Sequence, residues 1–184
     1  MRRSFKSATP RLVALVVVAA CEAQEGGTTM AEQSMTVESA AFEHEGPIPT
    51  RYSCDGQDVS PQLAWSGAPE GTVSYAILME DPDAPGGTFV HWVYYDIPAD
   101  TTELPEAIAG DDRPVPGGTQ GSNSFGNVGY GGPCPPGGTH RYFFTVYALD
   151  TELGLAPGAS KKDFLDAAGD HALAQGTLMG TFGR

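Results

Sequence analysis

Basic residues are scarce in this 184-residue chain, where ten Lys and Arg stand against 23 Asp and Glu for a formal net charge of −13. So acidic a surface repels nucleic acid phosphates and anionic lipid headgroups, which excludes both as extended partners. It leaves room for one small anion held by local donors, because surface charge is screened over about 8 Å at physiological salt. Cysteine is sparse too: there are three, none in a Cys-x-x-Cys or Cys/His ligand cluster, which argues against structural zinc. Also missing are a Gly-x-Ser-x-Gly elbow, a His-Glu-x-x-His pair and a Gly-rich loop ending in Lys-Ser/Thr. Their absence sets aside serine hydrolases, zinc proteases and phosphate-loop NTPases. No apolar run approaches the about 20 residues of a membrane-spanning helix; the longest, Leu12 to Ala20, has nine.

That short run follows Arg2, Arg3, Lys6 and Arg11, the layout of an export signal over residues 1–20. It ends Val18-Ala19-Ala20-Cys21, which looks like a bacterial lipobox and makes Cys21 the expected acylation site. The chain is therefore expected to be exported and lipid-anchored at the bacterial cell envelope, on its periplasmic or extracellular face. Cleavage there would leave six basic residues and a formal charge of −17. Residues 21–34 are polar and read as a flexible tether reaching roughly 20 Å. Residues 35–184 suffice for one domain with a single core. With Cys21 acylated, Cys54 and Cys134 form an even pair in an oxidising compartment, and a disulfide between them is expected; two free buried thiols are the alternative.

Within the domain the β-rich segments are Met35 to Phe42, Gln62 to Trp65, Val73 to Glu80, Val90 to Ile97 and Arg141 to Leu149, with a closing strand over Gly176 to Phe182. Two of them, around Ile77 and Phe144, are nearly continuous apolar runs, as expected for central strands covered on both faces. One helix is predicted late, with Ser160 as N-cap, Asp163 in its first turn, and Phe164, Leu165 and Ala168 on one face. The fold class is mainly β, an antiparallel arrangement with peripheral helix.

Two stretches carry the chemistry. Asp81-Pro82-Asp83-Ala84-Pro85 is a proline-stiffened turn leading to His91-Trp92 at the mouth of an apolar strand. Taken alone it reads as a rigid loop with solvated carboxylates, and a lone strand histidine is more often a satisfied core residue. The second stretch, Gly131 to Tyr142, repeats the pattern with a Gly/Pro loop before His140. Glycines permit close backbone approach, and His140 and Tyr142 project to one face while Arg141 points to the other. Two histidines, a phenol and glycine N–H groups suit a small oxyanion. Two histidines and two aspartates could also serve a metal or a general base, a weaker reading without the motifs named above.

These residues resemble the phosphatidylethanolamine-binding proteins, in particular the bacterial Raf-kinase-inhibitor-like branch. The resemblance runs from Met35 to Arg184, through Tyr52 to Gly56, Ser60 to Trp65, the Asp81 to Pro85 loop, His91-Trp92, Gln120 to Gly126, Gly132 to Tyr142 and Gly180 to Arg184. It implies a central antiparallel sheet with a smaller packed sheet and one or two peripheral helices. It also implies an anion pocket lined by Asp81, His91, Gly132, His140 and Tyr142, with Pro133 and Cys134 as wall. Animal members have a proline where Cys134 stands, and a long C-terminal helix without counterpart here. The expected function is non-enzymatic binding of a phosphate, phosphoester or carboxylate headgroup such as phosphoethanolamine, free or on a phospholipid, without a cofactor. The competing expectation is an inhibitor or regulator of another exported protein, for instance a protease, whose identity the sequence leaves open.

Overall fold

The computed structural model describes residues 33–114 and 116–184; the export signal, Cys21 and the tether up to residue 32 lie outside the described residues. Gln33–Ser34, assigned to the tether by composition, form β1 instead, paired in parallel with Ala174 and Gln175. The remaining strands are β2 (Thr36–Glu38), β3 (Leu63–Ser66), β4 (Ser74–Asp81), β5 (Phe89–Pro98), β6 (Glu103–Leu104), β7 (Thr119–Gln120), β8 (Thr139–Leu149) and β9 (Ala172–Gly183). A six-stranded sheet has the order β1-β9-β8-β4-β5-β7, antiparallel except for β1, and a three-stranded antiparallel sheet has the order β2-β3-β6.

The large sheet is covered on both faces, which explains the near-continuous apolar runs of β4 and β5. One face meets the small sheet across a core that includes Leu63, Trp65, Ile77, Met79, Trp92, Phe144 and Val146. The other face, with Ala76, Leu78, Val93 and Tyr95, packs under helix α1 (Lys161–Ala168). Ser160 caps α1 reciprocally with Asp163: its hydroxyl accepts from the Asp163 N–H while the Asp163 carboxylate accepts from the Ser160 N–H. Phe164 and Ala168, one helical turn apart, face the sheet. Leu165, expected beside them, is 39% exposed because it sits about 100° further round the helix. No described helix is long and apolar enough to cross a membrane.

The first and last expected strands differ most from the sequence reading, where the two segments cross. The segment expected to be a strand from Met35 to Phe42 is strand only over Thr36–Glu38, in the small sheet, because the chain switches sheets at Met35 after leaving β1 in the large one. At the switch Met35 crosses Gly176 so closely that a Cβ on Gly176 would lie 2.2 Å from the Met35 carbonyl oxygen. The glycine that seemed to open the last strand thus marks a close approach within it, and β9 starts at Ala172.

Candidate functional site

The candidate residues gather at one end of β4, β5 and β8, which lie side by side in the large sheet. Asp81 ends β4, and His140 and Tyr142 alternate along β8 on the face that carries Phe144 and Val146 into the core between the sheets. His91 reaches that face through a β-bulge. Met79 pairs with Trp92 and Glu80 with Val90, so His91 is the extra residue of β5 at the shift. A bulge re-aims the side chain it carries. The imidazole of His91 accordingly lies edge-on to the Tyr142 ring, centroids 5.2 Å apart, and to the Phe125 ring at 5.5 Å.

Hydrogen bonds fix both imidazoles. His91 Nδ1 is 2.7 Å from the carbonyl oxygen of Gly131, an acceptor, so the ring proton is on Nδ1 and Nε2 of the neutral ring keeps its lone pair. Gly131 N–H donates back to the His91 carbonyl at 2.9 Å. Burial holds the His91 pKa below the usual histidine value, with the Gly131 carbonyl and the nearby Asp81 carboxylate opposing that effect. His140 Nδ1 lies 2.7 Å from Asp81 Oδ2, and both side chains are buried. Asp81 Oδ1 accepts from the Asp83 N–H at 2.8 Å, the Asx-type turn expected of an aspartate before proline. The turn is anchored outside by Arg141, whose Nε and Nη2 reach the two Asp83 oxygens at 2.9 and 2.7 Å and whose N–H adds a third bond. This clamp lowers the Asp83 pKa to about 2.

Beside these groups is a cavity of about 300 Å³. Asp81, His91 and Cys134 line it directly; the rest of its wall is largely apolar, from Pro85, Phe89, Phe125 and Pro136. His140, bonded to Asp81, and Tyr142, packed against His91, are not in its wall. The Tyr142 hydroxyl is buried, close to Asp81 and to the N–H of Cys134, yet forms a hydrogen bond of normal geometry with neither. Burial, reinforced by the Asp81 charge, pushes its pKa up, so it remains a hydroxyl with a proton to give. Gly132 and Pro133 lie in the supporting loop, not in the wall. Cys134 is bonded to Cys54, with Cα atoms 5.5 Å apart, so the expected disulfide is present.

The Gly132 N–H, read from the sequence as a free donor, is instead taken by Asp58 Oδ1 at 2.7 Å. Asp58 was not foreseen. Among the described residues it is one of four non-glycine residues with positive φ (55°), a conformation aspartate tolerates, and no local pattern announces it. Phe125 was also missed as a wall residue. It is held by Asn123, whose Oδ1 accepts from the N–H groups of Phe125 and Asn127 while Nδ2 donates to the Gly129 carbonyl. The Asn/Gly/Ser composition of that loop predicts a turn, not what the turn presents. Gly132 is irreplaceable for a steric reason: a Cβ there would lie 2.2 Å from the Tyr52 carbonyl oxygen and 2.7 Å from Asp58 Oδ1. Gly132→Ala is expected to destabilise the fold by about 1–3 kcal/mol, as overpacking does, read as a lower urea midpoint at unchanged m.

Among the described residues no group of three or more His, Cys, Asp or Glu is placed to hold a metal ion.

Comparison with known proteins gives a consistent result. The sequence pattern of the family described as "Phosphatidylethanolamine-binding protein" matches residues 38–183. A "UPF0098 protein" of Aquifex aeolicus is 52% identical over 153 residues, covering 82% of this chain and 89% of its own. A Mycobacterium tuberculosis protein named "Putative lipoprotein LppC" is 40% identical, covering 83% of this chain and 74% of its own. The crystal structure of Escherichia coli YbcL, titled a member of the mammalian PEBP family, superposes with a TM-score of 0.77 at 34% identity, over 82% of this chain and 99% of that one. With the two-sheet architecture these matches establish that the chain belongs to the phosphatidylethanolamine-binding protein family, in which its bacterial relatives fit.

Proposed function

We propose that this protein is a non-enzymatic binding module for a small anionic headgroup, a phosphate, phosphoester or carboxylate, carried at the cell envelope by a lipid anchor on Cys21. The observation that supports this most is a cavity of about 300 Å³ with an apolar rim, lined by Asp81 and His91, with His140 hydrogen-bonded to Asp81 and Tyr142 packed against His91. Polar groups at the base of a small apolar pocket fix the orientation of a headgroup. A binding role also suits the state of the reactive groups: Cys134 is tied in a disulfide, and the His91 Nδ1 proton is committed to a backbone carbonyl. The anchor draws support from the relative named as a lipoprotein, and export from the disulfide.

The lowered pKa of His91 sets the direction of the pH dependence. In the free protein the ring is neutral at pH 7, and an added anion favours its protonated form. Affinity for phosphoethanolamine therefore rises as pH falls toward the His91 value, reaching its plateau below the ordinary histidine value of about 6.5. Calorimetric titration at pH 7.5 and pH 5.5 is expected to show tighter binding at the lower pH, and a weaker response in His91→Ala. Equal or weaker binding of the wild type at pH 5.5 would remove the imidazole from the recognition chemistry.

A further inference from the structure

The wall of the cavity contains no Lys or Arg but does contain a carboxylate, an odd lining for an anion receptor. Arg141 is engaged with Asp83 on the outer face, and Arg184 with Asp55 and the sulfur of Cys54. The Gly132 N–H, which would have been a donor, is spent on Asp58. What faces a ligand is mostly acceptor. Each Asp81 oxygen uses one lone pair, for the His140 Nδ1–H and the Asp83 N–H respectively, and a carboxylate has about four acceptor sites. Asp81 lines the cavity, so a ligand there meets its carboxylate. Nε2 of His91 is a second acceptor in the free protein, by the tautomer its Gly131 bond imposes, and becomes a donor only when a bound anion protonates the ring. Among the side chains of the wall the Thr88 hydroxyl is the neutral donor, while the Tyr142 hydroxyl is buried and outside the wall.

An anion with no hydrogen of its own would set an oxygen against the Asp81 carboxylate, two acceptors in contact inside a buried site. An anion that keeps an acidic hydrogen turns that contact into a charge-assisted O–H···O⁻ hydrogen bond, while its other oxygens are left for the Thr88 hydroxyl and solvent. Resting on the anion-pocket reading above, we infer that the pocket selects oxyacid anions that retain an acidic hydrogen, namely hydrogen phosphate and phosphomonoesters. It excludes phosphodiesters and sulfate esters, and with them intact phospholipids. The diester phosphate of a glycerophospholipid has no acidic hydrogen at working pH, so the favoured ligand is a released headgroup monoester. Asp81 is the specificity-determining residue, and His140 a positioning residue that holds it.

The test compares three probes on the wild-type protein at pH 6.0, where a phosphomonoester, with its second pKa near 6, is about half monoprotonated. Methyl phosphate, dimethyl phosphate and methyl sulfate have similar size and differ in whether they bring a hydrogen. A site that hydrogen-bonds a ligand O–H rejects analogues lacking it, and methyl phosphate is expected to bind about a hundredfold more tightly than either of the others. In Asp81→Asn, whose amide can donate, the preference is expected to collapse to within about threefold. If dimethyl phosphate or methyl sulfate binds the wild type as tightly as methyl phosphate, the hydrogen-selection inference is overturned while the anion pocket stands. If none of the three binds, the anion pocket itself is lost. The wild-type comparison decides the matter even if Asp81→Asn fails to fold.

Discussion

Opening the Cys54–Cys134 bridge is expected to lower the unfolding free energy by about 4 kcal/mol, since a cross-link over 80 residues removes that much loop-closure entropy from the unfolded chain. Local structure gives the bridge a second effect. Cys134 is part of the cavity wall, and the turn bearing Cys54 is joined to the same loop by the Cys54 N–H bond to the Pro133 carbonyl at 3.1 Å. Arg184 completes the cluster, with Nε 2.7 Å from Asp55 Oδ2 and Nη2 2.9 Å from Cys54 Sγ. Without the bridge the loop keeps these polar contacts and the Asp58 bond to Gly132. Denaturant unfolding with and without reductant, repeated with the Cys54→Ser/Cys134→Ser variant, should show both the lower midpoint and a weaker response to methyl phosphate at the same temperature. A loss under about 1 kcal/mol would mean that the Asp58 and Arg184 contacts already hold the loop closed in the reduced chain.

The bridge was legible in the sequence because cysteine parity and the pattern expected of an export signal are properties of the chain as a string. The central strands were legible as well, since burial on both faces forces Val, Ile, Tyr and Phe into runs that no surface strand tolerates. So was the Ser160/Asp163 capping box, which is local. What was not legible depends on register. Strict alternation along Val90 to Tyr95 would put His91 on the helix side with Val93 and Tyr95, away from Trp92 and Tyr94. One extra residue opposite Glu80 moves it to the pocket side, and no residue type in the sequence marks the bulge. Likewise the glycine-rich loop suggested free N–H donors, whereas a distant aspartate, Asp58, occupies the one that mattered. The two-residue strands β6 and β7 are too short to carry a period at all. Sequence pattern thus located the residue types of the site, and long-range pairing determined which of them became wall, support or donor.

His140→Ala is expected to cost about 3 kcal/mol, the lower end of the range for removing one partner of a buried pair. Asp81 is only 3% exposed, and His140 supplies one of its two described hydrogen-bond donors. Without the imidazole the carboxylate keeps the Asp83 N–H and faces a new void on the other side. If this unmet acceptor is the source of the loss, removing its charge as well should recover part of it. Asp81→Asn/His140→Ala is therefore expected to be more stable than the sum of the single changes implies, with a coupling of about 1–3 kcal/mol in a double-mutant cycle at pH 7. The same cycle read by methyl phosphate affinity separates positioning from packing. His140→Ala should weaken binding and blur the preference over dimethyl phosphate, because an untethered Asp81 no longer holds its carboxylate toward the cavity. Stabilities that add within about 0.5 kcal/mol, with the preference intact, would reduce His140 to a space-filling residue and leave the Asp83 N–H as the group that aims the carboxylate.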